Sequence, residues 1–132
     1  MTEVLIVGGG IGGLCLAHGL RRAGIPVTVF ERTTERTEWL QGYRIHINPH
    51  GSSALHACLP PENWQQFVDT VSKEDGGGFA FVTEQGKTLL EFGPEAINPS
   101  PDPALRHYGV SRIKLRDALL SGLDDVVRLG KS

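Results

Sequence analysis

The chain has 132 residues, of which 39% are hydrophobic and 21% charged, and its formal net charge is −2. At this length one domain is expected, and the balance of apolar and charged residues excludes an intrinsically disordered chain. No basic excess points to nucleic acid, no polybasic block points to a membrane surface, and no apolar run approaches a membrane span or a secretory leader, so a cytoplasmic protein is expected.

In chain order, Glu3–Val7 reads as a strand of consecutive aliphatics, a pattern that suits a parallel sheet covered on both faces. Ile11 to Ala23 reads as a helix with Leu16, Leu20 and Ala23 on one face, closed by Gly24 and stopped by Pro26. Val27–Phe30 is a second short strand, so the first 32 residues spell a βαβ unit. Tyr43–Ile47 alternates weakly, as a strand or an extended loop with Ile45 and Ile47 on one side. Asn48–Ser52 is turn chemistry leading to a helix over Ser53–Leu59, and Pro61 is suited to N1 of a further helix over Glu62–Val71. Gly76–Gly78 is a break. Phe79–Thr83 and Lys87–Phe92 flank Glu84-Gln85-Gly86 as a β-hairpin. Gly93–Pro103, with four prolines, reads as a loop. Tyr108–Ser111 leads into a helix from Arg112 to about Ser121 with Ser111 as N-cap, and Val126–Leu129 begins another strand.

The chemistry-bearing feature is Gly8-x-Gly10-x-x-Gly13, between the first strand and the first helix. The first glycine permits the tight turn, the second lets a pyrophosphate approach the backbone, and the third lets the helix pack close to the strand. The helix opening at Ile11 and Gly12 offers amide N–H groups and a partial positive charge to phosphates. Glu31 ends the second strand 18 residues after Gly13, where its carboxylate can accept ribose hydroxyls and disfavour a 2′-phosphate. This pattern predicts dinucleotide binding and leaves NAD and FAD both open. Cys15 and Cys58 lie in no CxxC pair and read as thiols without a redox role. The five histidines have no supporting acidic or thiol ligands at metal-site spacing. His46 and His50 are four apart, but Pro49 and Gly51 argue against a helix there, so no metal is expected.

Arg112, Lys114 and Arg116 crowd the first turns of the last helix, where cations oppose the helix dipole. Helix stability does not explain them. An anion nearby, or a solvated basic face, would.

Three segments, VLIVGGGIGGLCLAHGLRRAGIPVTVFER, QGYRIHINPHG and YGVSRIKLRDALLSGL, occur in this order and span essentially the whole chain. Together they resemble the FAD-dependent aromatic-hydroxylase-like monooxygenases, the class A flavoproteins of the para-hydroxybenzoate hydroxylase group, especially those of fungal and actinobacterial secondary metabolism. The resemblance implies an α/β fold: a Rossmann-like FAD-binding βαβ unit with additional helices and a hairpin. It implies FAD as cofactor, with Gly8, Gly10 and Gly13 along the pyrophosphate, Glu31 on the adenosine ribose and Arg32 beside the adenine. The segment from Gly42 to Arg44 would touch the flavin half, and Arg112 would reach the cofactor from a helix start. In the family NAD(P)H is the co-substrate and oxygen is transferred to an aromatic or polyketide-like small molecule.

Members of that family are about three times longer, and their later Asp-Gly and Gly-Asp motifs and substrate-binding sheet have no counterpart here. Residues 1–132 are therefore expected to form the N-terminal portion of an FAD-binding domain, incomplete relative to the family. Its sheet would present an unpaired edge and an uncovered apolar face, favouring self-association or a partner chain. The alternative to an enzyme is a non-catalytic module that binds FAD or ADP, or pairs with another protein, without turnover.

Overall fold

The computed structural model describes residues 2–34, 44–71 and 78–131. Strand β1 (Val4–Val7) and strand β2 (Val27–Phe30) pair in parallel, with Val4 opposite Val27 and Val7 opposite Phe30. Helix α1 (Ile11–Arg22) makes the crossover between them. Its end has a full chain-reversal cap: Gly24 takes φ +71°, its N–H bonds to the Arg21 carbonyl, and the Ile25 N–H bonds to that of Leu20. The last strand of the chain, β7 (Val127–Arg128), adds to the other edge of β2, giving a three-stranded parallel sheet in the order β1-β2-β7.

Between β2 and β7 the chain builds two smaller units. Strand β3 (Arg44–Ile47) pairs antiparallel with β6 (Tyr108–Ser111), and β4 (Phe79–Val82) pairs antiparallel with β5 (Thr88–Phe92) across a turn in which Gly86 has φ +81°. Helices α2 (Pro49–Cys58) and α3 (Pro61–Asp69) follow β3, and a short α4 (Pro94–Ile97) follows the hairpin. Helix α5 (Arg112–Leu120) springs directly from β6 and packs against α1 and α3. Leu14 and Ala17 of α1, Val29 of β2, Phe67 of α3, and Leu115 and Leu119 of α5 form the centre of the core and are fully buried. Each large apolar side chain removed from water there contributes about 1.5–3 kcal/mol.

Several sequence expectations need correction. The buried stripe of α1 is Leu14, Cys15, Ala17 and His18, whereas Leu16 is 50% exposed and Ala23 lies at the exposed end of the helix. The glycine turn orients the helix so that this stripe faces both β2 and α5, which a single-face spacing argument could not anticipate. Helix α2 starts at Pro49, four residues before the expected Ser53. The Asn48 side chain caps it by accepting the Gly51 N–H, and Pro49 occupies the first turn, where its missing N–H costs nothing. Pro49 and Gly51 therefore open a helix rather than forbid one. The proline-rich loop contains α4 and a 3₁₀ turn at Pro103–Leu105 capped by Asp102. Strand β1 is covered on one face only: Leu5 is 61% and Val7 90% exposed. The Gly76-Gly77 part of the expected break lies outside the described residues. None of the described helices is long and apolar enough to cross a membrane.

Candidate functional site: the glycine turn and its carboxylate

The chain leaves β1 at Val7 and turns at Gly8, whose φ of +109° lies in the region that disfavours a side chain. Gly10 is the N-cap of α1 and supplies no side-chain cap. The first backbone bond of the helix runs from the Leu14 N–H to the Gly10 carbonyl, so the amides of Ile11, Gly12 and Gly13 precede the helical ladder. With no acidic residue in the first turn, this end presents donors and a partial positive charge.

The glycines divide into two kinds. A Cβ on Gly13 would collide with the Gly8 carbonyl oxygen and press on Ile6, so Gly13 is what lets α1 lie against β1. A Cβ on Gly9 would come within 3.0 Å of the Glu31 side chain. Gly10 and Gly12 face the other way, and a Cβ on either would meet nothing within 4 Å. Packing explains Gly9 and Gly13. It does not explain Gly10 or Gly12, which border the open space beside the exposed helix terminus.

Glu31 follows β2 and is 9% exposed. One carboxylate oxygen accepts the Gly9 N–H at 2.7 Å, and the other accepts the Thr33 N–H at 3.0 Å. The Arg116 guanidinium lies 3.8 Å away. Burial works against the charge, but the Thr33 and Gly9 donors and the Arg116 cation outweigh it and hold the carboxyl below its usual range. A buried, ionised, acceptor-only group therefore sits beside a donor-rich helix terminus. The pair can take the hydroxyl and phosphate ends of a nucleotide, and the residues present fit the adenosine diphosphate half of FAD.

Of the other expected contacts, Arg32 is exposed immediately after Glu31. Arg44 opens β3 opposite Ser111, the residue before Arg112, so the β3–β6 ladder brings Arg44 and Arg112 to one end. Both are exposed. Gly42 lies outside the described residues. The glycine turn and Glu31 come from the first 31 residues, and the start of α5 comes from residue 112.

The sequence profile of the NAD(P)-binding Rossmann-like domain matches residues 6–71 of the chain. The chain belongs to this Rossmann-like family. Among curated relatives, this Rossmann-like chain is 30% identical over 137 aligned residues to the dual O-methyltransferase/FAD-dependent monooxygenase elcB of Phaeosphaeria nodorum, covering 99% of the chain and 14% of that protein. It is 41% identical over 80 residues to the FAD-dependent monooxygenase sor5 of Hypocrea jecorina, covering 61% of the chain and 17% of the relative. Among solved structures it superposes, with a TM-score of 0.78 and 37% identity, on a protein assigned as an FAD-containing monooxygenase from Photorhabdus luminescens subsp. laumondii TTO1. That match covers the whole chain and 31% of the other. The Rossmann-like chain thus spans less than a third of the length of each of these proteins.

Two residues of the Rossmann-like site escaped sequence reasoning. Gly9 is needed so that its amide can reach Glu31. Arg116, read only as part of a basic cluster, is 5% exposed and lies under the site rather than on a solvated face. The anion that accounts for it is the protein's own Glu31. A signal was available: Arg116 is flanked on α5 by the buried Leu115, Ala118 and Leu119, whereas Lys114 is exposed.

Proposed function

We propose that the chain is the FAD-binding portion of an NAD(P)H-dependent flavoprotein monooxygenase that hydroxylates an aromatic or polyketide-like small molecule. The observation that carries this reading is the seat made by the Gly8–Gly13 turn and the ionised Glu31. In it Gly10 and Gly12 are left facing open space that packing does not use. The relatives support it, since those compared above are described as FAD-dependent or FAD-containing monooxygenases. In this reading the amides at the start of α1 hold the pyrophosphate, Glu31 holds the adenosine ribose, Arg32 borders the adenine, and Gly42, Arg44 and Arg112 approach the flavin half. FAD, when bound, would supply the redox chemistry. The chain's own contribution is to bind and orient it. The two free cysteines fit a cytoplasmic setting.

A second reading, a binding module without turnover, is favoured by the bare face of β1 and the exposed apolar hairpin, which suit pairing with another copy or a partner chain. Adding FAD to the purified chain separates the two. Retained flavin with NAD(P)H oxidation supports the enzyme, and retained flavin without it supports the module. In either case Gly10→Val is expected to weaken FAD and ADP binding by on the order of tenfold or more. Unchanged affinity in Gly10→Val would count against the assigned site.

A further inference from the structure

Arg116 is the one cation among the described residues that is at once buried and in contact with both walls of the site. Its Nε donates to the Gly9 carbonyl at 3.1 Å and a terminal nitrogen donates to Thr33 Oγ1 at 3.2 Å. The same terminal nitrogen stands 3.8 Å from the Glu31 carboxylate. Gly9 and Thr33 also bond that carboxylate through their own amides. The guanidinium therefore closes a small ring: Arg116 to Gly9, Gly9 to Glu31, Glu31 to Thr33, and Thr33 back to Arg116. A planar fork whose donors point from separate nitrogens suits partners spread this far apart, which a single ammonium point charge matches less well.

We infer that Arg116 is a positioning residue of the nucleotide site, holding the Glu31 carboxylate ionised and aimed at the ribose from beneath. This deepens the FAD-binding reading and rests on it. Among the described residues the charged groups around Glu31 are few. Arg32 follows it in the chain. From β7 the carbonyl of Arg128 accepts the Glu31 N–H, and beyond the strand the N–H of Lys131 donates to the Glu31 carbonyl. From α5 comes Arg116, one turn on from Arg112, about 6 Å of axial rise. Of these, Arg116 is the cation whose charge adds to the Thr33 and Gly9 donors in holding the carboxyl below its usual range. Without it Glu31 would keep its burial and lose its counter-charge, so its carboxyl would titrate higher. Because Arg112 and Arg116 share a helix, α5 would also link the flavin-side contact to the adenosine-side carboxylate.

The test has two readouts on the same proteins: the Glu31 carboxyl titration by NMR, which needs no ligand, and the pH profile of FAD and ADP affinity between about pH 5 and 8. In the wild type the Glu31 carboxyl should titrate low and affinity should be flat. In Arg116→Met the carboxyl should titrate higher, and affinity should be down roughly tenfold at neutral pH and fall further towards pH 5. Arg116→Lys should restore the low titration and only part of the affinity. Should Arg116→Met fail to fold, Arg116→Gln carries the same comparison. An Arg116 variant with a lower melting temperature but an unmoved Glu31 titration and a parallel affinity profile would overturn the inference and leave Arg116 a packing residue. If the wild type retains neither FAD nor ADP, the proposed function fails. The Glu31 titration then still decides whether Arg116 holds the carboxylate.

Discussion

At the scale of single residues, the glycine run contains two demands that look identical in sequence. Gly13 serves the fold and Gly10 leaves the fold untouched, as the space around each shows. Gly13→Ala should therefore cost about 1–3 kcal/mol of stability through overpacking, read by urea unfolding. Gly10→Val should cost stability only through the poorer N-cap, less than Gly13→Ala, while losing ligand. Glu31→Ala is a less clean probe, because it strands a buried guanidinium and should cost about 3 kcal/mol along with any ribose contact. His18 gives a residue-scale prediction in pH. It is buried, its Nε2–H donates to the Leu119 carbonyl at 2.7 Å, and burial lowers its pKa from 6.5. The unfolded chain thus binds the proton more readily, so the stability His18 contributes is complete above about pH 6.5 and falls as the pH drops below it. His107 is lowered too, by burial and by His46, and acts in the same direction. Thermal melting from pH 7.5 to 5 should show this acid-side loss in the wild type and a shallower slope in His18→Gln.

At the scale of elements, what was legible in the sequence followed from local rules. The Gly24 cap, Pro61 opening α3 and the Ser111 cap depend on residues within one turn of one another, and the βαβ unit and the Gly86 hairpin on neighbouring segments with short-range turn signals. What was not legible depended on distant partners. The buried stripe of α1 is set by α5, which docks from about a hundred residues away through the His18–Leu119 bond. The neighbours of Arg116 on α5 hint at its burial, but what it pairs with shows only once Gly9 and Glu31 are placed beside it. The end of α5 is similarly held by a residue with no sequence signature: buried Asn63 of α3 donates to the Ala118 and Ser121 carbonyls at 2.8 and 2.9 Å. These carbonyls belong to the helix end, where the backbone has no partner of its own. Asn63→Ala should cost about 1–3 kcal/mol, measurable by denaturant titration, and the amide protection of α3 and α5 should fall together in hydrogen exchange.

At the scale of the whole molecule, the apolar surface is unevenly distributed. Leu5 and Val7 of β1, Leu16 of α1, and Phe79, Phe81, Val82, Leu89 and Leu90 of the hairpin are each at least half exposed. Large apolar side chains exposed in this way on a sheet face and on a hairpin suit association with another chain. We expect concentration-dependent association by sedimentation velocity, reduced by Val7→Lys or Phe81→Lys, because each places a charge on one of these surfaces. If association weakens only with the β1 change, the sheet face drives it. If it weakens only with the hairpin change, the aromatic pair Phe79–Phe81 does.

The ring from Arg116 through Gly9, Glu31 and Thr33 also bears on the order of events when the chain is made. The glycine turn and both its strands are complete in sequence by residue 30, yet the guanidinium that balances the carboxylate is contributed by residue 116. A nascent chain that has folded its first βαβ unit would own every glycine of the motif while the carboxylate proposed to bind the ribose still lacked a counter-charge. In the proposed reading nucleotide affinity should thus arise late, when α5 docks, and its appearance would report that α5 has met the glycine turn.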